Sequence, residues 1–225
     1  MKKSFVLIFL SLFCFNALAQ DYSPTINWPY LNPDFFEGEM RMLGNKVSSG
    51  VYNIHLGQGM LHRVNNGIIE ELSVTQVMSA TIGDEEFANV SGKLMKVLAQ
   101  SEKGIVVEER LADYSQVVRE EGGAYGGSNT NAAKSFSYDE NYGNYSYLIT
   151  NDYEDLKSQR DYGEDLPVTV NRYIVIGGFK TLAVKKNVSA IEGVDKKLFA
   201  EFLKTEKINW KEPKDILKVL EFVAK

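Results

Sequence analysis

The chain has 225 residues, 25 basic and 30 acidic side chains, a formal charge of −5 and an apolar fraction of 44 %. That length and composition can bury one or two cores without covalent staples, and the single cysteine, Cys14, excludes an internal disulfide. The acidic balance speaks against nucleic-acid binding, because the lysines of the C-terminal tail are interleaved with Asp195, Glu201, Glu206, Glu212, Asp215 and Glu221 and the rest of the chain is acidic.

Residues 1–19 read as a signal peptide. Lys2 and Lys3 open it, residues 5–15 form an apolar run, and Ala17-Leu18-Ala19 supplies a small-x-small site before Gln20. The run is roughly half the ~20 residues that span a bilayer, so cleavage after Ala19 is expected rather than a retained anchor. Phe13 stands where lipid-attachment sites carry a small residue, so Cys14 does not mark a lipoprotein. The remainder is expected to be a soluble periplasmic or extracellular protein with no transmembrane segment. Its charge is uneven: residues 20–179 hold 12 basic and 23 acidic groups, whereas 180–225 hold 11 lysines and 7 acids. The bland account of this asymmetry, a lysine-rich helical surface, is favoured over a polyanion site.

Residues 20–113 read as a β-meander punctuated by Gly44-Asn45, Gly57-Gln58, Asn66-Gly67, Ser91-Gly92 and Lys103-Gly104. Asn66-Gly67 suits a type I′ turn and Gly57-Gln58 a type II′ turn. Together they set a register that pairs Asn53 with His62, His62 with Glu71, Ile54 with Leu61, and Leu61 with Leu72. Tyr52, Ile54, Leu61 and Leu72 then share a buried face, and the opposite face with His55, His62 and Glu71 is expected to be wetter. Residues 105–111 keep β character, while 88–100 are compatible with either strand or helix on periodicity.

Residues 114–166 carry eight of the twelve tyrosines together with paired glycines, and they lack a periodic apolar face. They are expected to form a flexible Tyr/Gly/Asn-rich insertion. Residues 167–225 then read as a β-hairpin turning near Gly177-Gly178 and two helices, one capped by Asp195 and one with Pro213 in its first turn. Trp210 is expected to pack in the corner between them. The fold expected is mainly β (α+β): an antiparallel meander sheet or partly open barrel with a C-terminal helix pair packed on it.

Chemistry is sparsely signalled. His55 and His62 are the two histidines, placed by the register diagonally on one face roughly 7 to 8 Å apart with Glu71 opposite His62. Two imidazoles and a carboxylate are the weak candidates for a metal-dependent or acid/base hydrolase. A surface histidine paired with a glutamate is the plainer reading, so no metal and no cofactor is expected. The adjacent acids Glu70-Glu71, Glu85-Glu86, Glu108-Glu109 and Glu120-Glu121 point to opposite faces of a strand and read as solvated charge. The acids between 139 and 165 lack the ligand spacing of a calcium loop. Tyr138, Tyr142, Tyr145, Tyr147 and Tyr153 are the candidate contacts for an unidentified protein or glycan partner.

Trp28-Pro29-Tyr30 followed by Phe35-x-Glu37-Gly38, the stretch Gly92-Lys93-Leu94-Met95-Lys96-Val97-Leu98, and Lys207-Ile208-Asn209-Trp210-Lys211-Glu212-Pro213 with Leu217-Lys218-Val219-Leu220 resemble exported proteins of Bacteroidales-type bacteria that have no assigned activity. The resemblance implies an envelope location and no mechanism. The expected role is a non-enzymatic binding or interaction protein of the envelope, with a hydrolase built on His55, His62 and Glu71, or a structural assembly component, as alternatives.

Overall fold

The computed structural model describes residues 22–115, 137–139, 144–146 and 151–224; residues 1–19, expected to be a signal peptide, lie outside them. Twelve strands are described: β1 Phe36–Met42, β2 Val47–His55, β3 Met60–Asn65, β4 Ile68–Leu72, β5 Val77–Ile82, β6 Glu85–Val90, β7 Lys93–Ser101, β8 Gly104–Ala112, β9 Ser137–Asp139, β10 Asn144–Ser146, β11 Val168–Ile176 and β12 Phe179–Leu182. Four helices accompany them: α1 Tyr153–Ser158, α2 Lys185–Val188, α3 Lys196–Glu206 and α4 Pro213–Val223. No described helix is long and apolar enough to cross a membrane.

Ten strands form one antiparallel sheet in the order β12-β11-β8-β7-β6-β5-β1-β2-β3-β4, and β9 pairs with β10 separately. The sheet does not close. The chain runs β1 to β4 toward one edge, returns through the turn at Val74–Gln76, and places β5 against the free side of β1. Gly38 permits that approach, since a Cβ there would collide with the Thr81 carbonyl oxygen of β5.

The expected pairings Asn53–His62, Ile54–Leu61, Leu61–Leu72 and His62–Glu71 are all present. Asn66 and Gly67 both take positive φ, 50° and 80°, as a type I′ turn requires. The β2–β3 turn is different from the type II′ form: Gly59, not Gly57, adopts positive φ (68°), and its N–H closes the loop on the His55 carbonyl at 3.0 Å. Residues 88–100 resolve as β6 and β7, so the helical option there falls away. Gly177 and Gly178 turn β11 into β12, Asp195 caps α3 through the N–H groups of Lys197 and Leu198, and Pro213 opens α4.

One face of the sheet carries two apolar clusters. Met40, Tyr52, Ile54, Leu61, Ile82, Phe87 and Leu94 fill the curl of β1 to β7. Val106 and Ile174 meet Phe199 of α3 and Ile216, Val219 and Leu220 of α4 at the other end. Trp210 packs against this second cluster, as expected. Between the clusters, Glu108 is buried and bridged to Arg110 and Arg172, at 2.8 and 2.9 Å. Glu109, on the opposite face, is buried beside Lys93 at 3.4 Å and accepts from the Tyr173 hydroxyl at 3.0 Å. The pair therefore diverges as strand geometry demands but is not solvated; each carboxylate is compensated where it is buried.

The expected insertion is partly a packed cover. Residues 151–166 lie over the β2–β4 face, where α1 buries Leu156 with Trp28, Tyr30 and Phe35. The Leu166 N–H donates to the Pro24 carbonyl and the Ile26 N–H to that of Glu164. Apolar residues scattered through irregular chain left no period from which this packing could be read.

Candidate functional site

Segment 22–35 and α1 roof the face that holds both histidines. Pro29 and Leu31 bond β2 through the Leu56 N–H and the Ile54 carbonyl, each at 2.8 Å. Asn53, fully buried, secures the next residues. Its Oδ1 accepts from the N–H of Asn32 at 3.1 Å and of Ile54 at 2.8 Å, and its Nδ2 donates to the carbonyls of Asn32 and Asp34 at 2.9 and 2.8 Å. All the hydrogen-bonding groups of this amide are used, which is the condition for burying it without penalty.

Beneath the roof His55 and His62 stack, with ring centroids 5.0 Å apart and planes 21° from parallel. They are closer than the diagonal register suggests because both rings lean under Tyr30, which meets each edge-on at 5.4 and 5.6 Å. The expected wet face is thus partly covered: both histidines are half-buried, while Glu71 stays exposed. His55 Nδ1 accepts from the Gly57 N–H at 3.2 Å, and the Tyr30 hydroxyl lies 3.0 Å from His62 Nδ1. Burial holds the Tyr30 phenol above its usual range, so it stays protonated and bonds His62 Nδ1 as either donor or acceptor, whereas the Gly57 N–H can only donate and so places the His55 proton on Nε2. Burial, reinforced by the neighbouring His62, depresses His55 to about 3, and burial depresses His62 to about 4. Both rings are neutral at pH 7. The 3.8 Å approach of Glu71 Oε2 to His62 Nε2 is accordingly a contact of a carboxylate with a neutral ring, not an ion pair.

This geometry suits packing better than reaction. Stacked rings direct their in-plane lone pairs side by side rather than toward one point, and the two Nδ1 atoms already have hydrogen-bond partners. Among the described residues no three His, Cys, Asp or Glu side chains are grouped as metal ligands. A shallow cleft of about 610 Å³ crosses β1, β2 and β5 past Glu37, Glu39, Ser49, Gly50 and Thr81. A second, of about 440 Å³, lies beside β11 at Val170, Val184, Trp210 and Lys211. Neither reaches the histidines.

Of the tyrosine candidates, Tyr138 and Tyr145 are backbone partners in the β9–β10 register. Tyr142 and Tyr147 lie outside the described residues. Tyr153 belongs to the roof: its ring meets Phe35 edge-on, and its hydroxyl donates to Asp34 Oδ1 and accepts from Lys157 Nζ. Burial acts to raise the Asp34 carboxyl, but hydrogen bonds from Lys157, Tyr153 and the Phe35 N–H prevail and hold it below the usual carboxylate range.

Sequence reasoning missed Asn53 and the buried pair Glu108 and Glu109. A polar residue between Tyr52 and Ile54 in a strand was the available signal for the first. The second pair faces basic residues on β7 and β11 that only the full sheet order brings together. No family model, no curated protein and no solved structure matches this chain.

Proposed function

We propose that this protein is exported into a bacterial envelope, is cut after Ala19, and serves there as a non-enzymatic interaction protein. Export is supported by the basic start, apolar run and Ala17-Leu18-Ala19 of the leader, and by the resemblance to exported Bacteroidales-type proteins. The interaction reading is carried by one observation: the histidine pair, the strongest chemical constellation in the sequence, is roofed, neutral and hydrogen-bonded to its own fold. A hydrolase built on His55, His62 and Glu71 would need an imidazole that exchanges protons near neutral pH within reach of substrate. The tyrosine-rich segment around 138–147 is the contact surface favoured for a protein or glycan partner.

Mass spectrometry of the protein recovered from the periplasm tests the first half, with Gln20 expected as the N-terminal residue. Affinity capture with residues 20–225, compared with a version lacking 116–150, tests the second, with partner recovery expected only for the former. A hydrolytic activity of the purified protein that disappears in His62→Ala, while the fold persists, would replace this reading with the enzymatic one.

A further inference from the structure

The sheet has an open edge at β11. β12 pairs only with residues 173–176, whereas β11 begins at Val168 and is paired along its other side with β8. The last bond on the β12 side runs from the Ala183 N–H to the Arg172 carbonyl, at 2.8 Å. Backbone groups alternate along an antiparallel strand, so the N–H and C=O of Val168 and Val170 point to the same side as the Arg172 carbonyl. The opposite parity is occupied on the β8 side, where the Asp113 N–H donates to the Pro167 carbonyl at 2.7 Å. Among the described residues no strand covers Val168 to Asn171 on the outer side.

A groove of about 440 Å³ follows this edge, walled by Val170, Leu182, Val184, Trp210 and Lys211. Val170 is 49 % and Val184 39 % exposed, which leaves apolar surface beside unpaired main chain. Lys211 forms part of the wall, Lys185 and Lys186 follow Val184 directly, and all three are exposed with no acidic partner among the described residues. Glu212, next to Lys211, offsets part of that charge.

We propose that this edge binds an extended acidic peptide by strand addition, a proposal that rests on reading the chain as an interaction protein and does not involve the tyrosine segment. The open N–H and C=O groups supply sequence-independent hydrogen bonds, the Val170–Val184–Trp210 wall takes an apolar side chain, and the lysines select acidic neighbours. Self-pairing is the disfavoured occupant. A two-fold pairing of β11 edges would bring the lysine clusters of both copies together.

The test uses purified residues 20–225 and short peptides that alternate Val with Glu or Val with Lys, followed by tryptophan fluorescence. Trp28 is fully buried, so Trp210 reports. The Val-Glu peptide is expected to bind, with the Val-Lys peptide about tenfold weaker or worse. Val170→Pro removes the outward donor at an edge position where proline is tolerated, and is expected to weaken binding at least about tenfold with the circular dichroism spectrum retained. If that variant fails to fold, Lys211→Glu serves instead, with a several-fold loss expected for the acidic peptide and a gain for the basic one. Equal binding of both peptides, no binding of either, indifference to the substitution at the edge, or concentration-dependent dimerisation through β11 would each overturn the proposal. These outcomes are independent of any hydrolytic activity lost in His62→Ala, so failure of the peptide site and failure of the interaction reading are distinguishable.

Discussion

At one end of the sheet α3 and α4 lay apolar stripes on Val106 and Ile174; at the other, irregular chain from 22 to 35 is held on β2 by Asn53, Asp34 and the histidine pair. The helical cover gains its stability mainly from apolar area, which is tolerant of small shifts. The irregular cover cannot satisfy its backbone internally and depends on particular side chains to do so. Two of these side chains, His55 and His62, therefore read as candidates for chemistry in the sequence while serving as attachments in the fold.

Substitution at the two covers breaks them differently. Phe199→Ala, at the centre of the helical cover, is expected to cost about 3–5 kcal/mol. Asn53→Ala removes the partner of the Asn32 and Ile54 N–H groups and of the Asp34 carbonyl, while the Asn32 carbonyl keeps the Trp28 Nε1–H, and is expected to cost a similar amount, about 3 kcal/mol or more. Hydrogen exchange separates them. Asn53→Ala is expected to lose protection first across 22–35 and 151–166, whereas Phe199→Ala exposes α3 and α4.

Acid is expected to attack chiefly the roofed end. The folded histidines lie below the usual value of 6.5, at about 3 and about 4, so between these limits the unfolded chain binds more protons. Their contribution is complete above pH 6.5 and is lost as pH falls toward 4, by roughly 1.4 kcal/mol per pH unit for each group that is fully protonated when unfolded. The urea midpoint should fall over that range and flatten in His55→Gln/His62→Gln. A slope unchanged by the double substitution would place the acid sensitivity elsewhere, Asp34 included.

Smaller effects sharpen the contrast. Asp195→Ala removes the cap of α3 and should cost about 1 kcal/mol in thermal unfolding. Lys157→Ala breaks a partly exposed bridge to Asp34, at 2.7 Å, and should cost less, about 0.5 kcal/mol.

The same contrast explains what could be read before the fold was known. Hairpin register was accessible because Asn66-Gly67 and Gly177-Gly178 are local devices, and α3 and α4 because Asp195 and Pro213 mark their starts next to periodic apolar residues. The roof was not accessible. Its bonds join residues far apart in sequence, as Thr25 with Arg160 and Asp34 with Tyr153, and no local pattern encodes them. The histidines were placed in the right register, but their partial cover was not foreseen, because it depends on the chain that crosses that face.

The central claim is that His55 and His62 are structural and neutral. Imidazole carbon and nitrogen shifts followed by NMR from pH 8 to pH 5 test it directly. The account predicts that His55 keeps the Nε2–H form throughout and that neither ring titrates in that range. A histidine that titrates near 6.5, or shifts on addition of zinc, would contradict it.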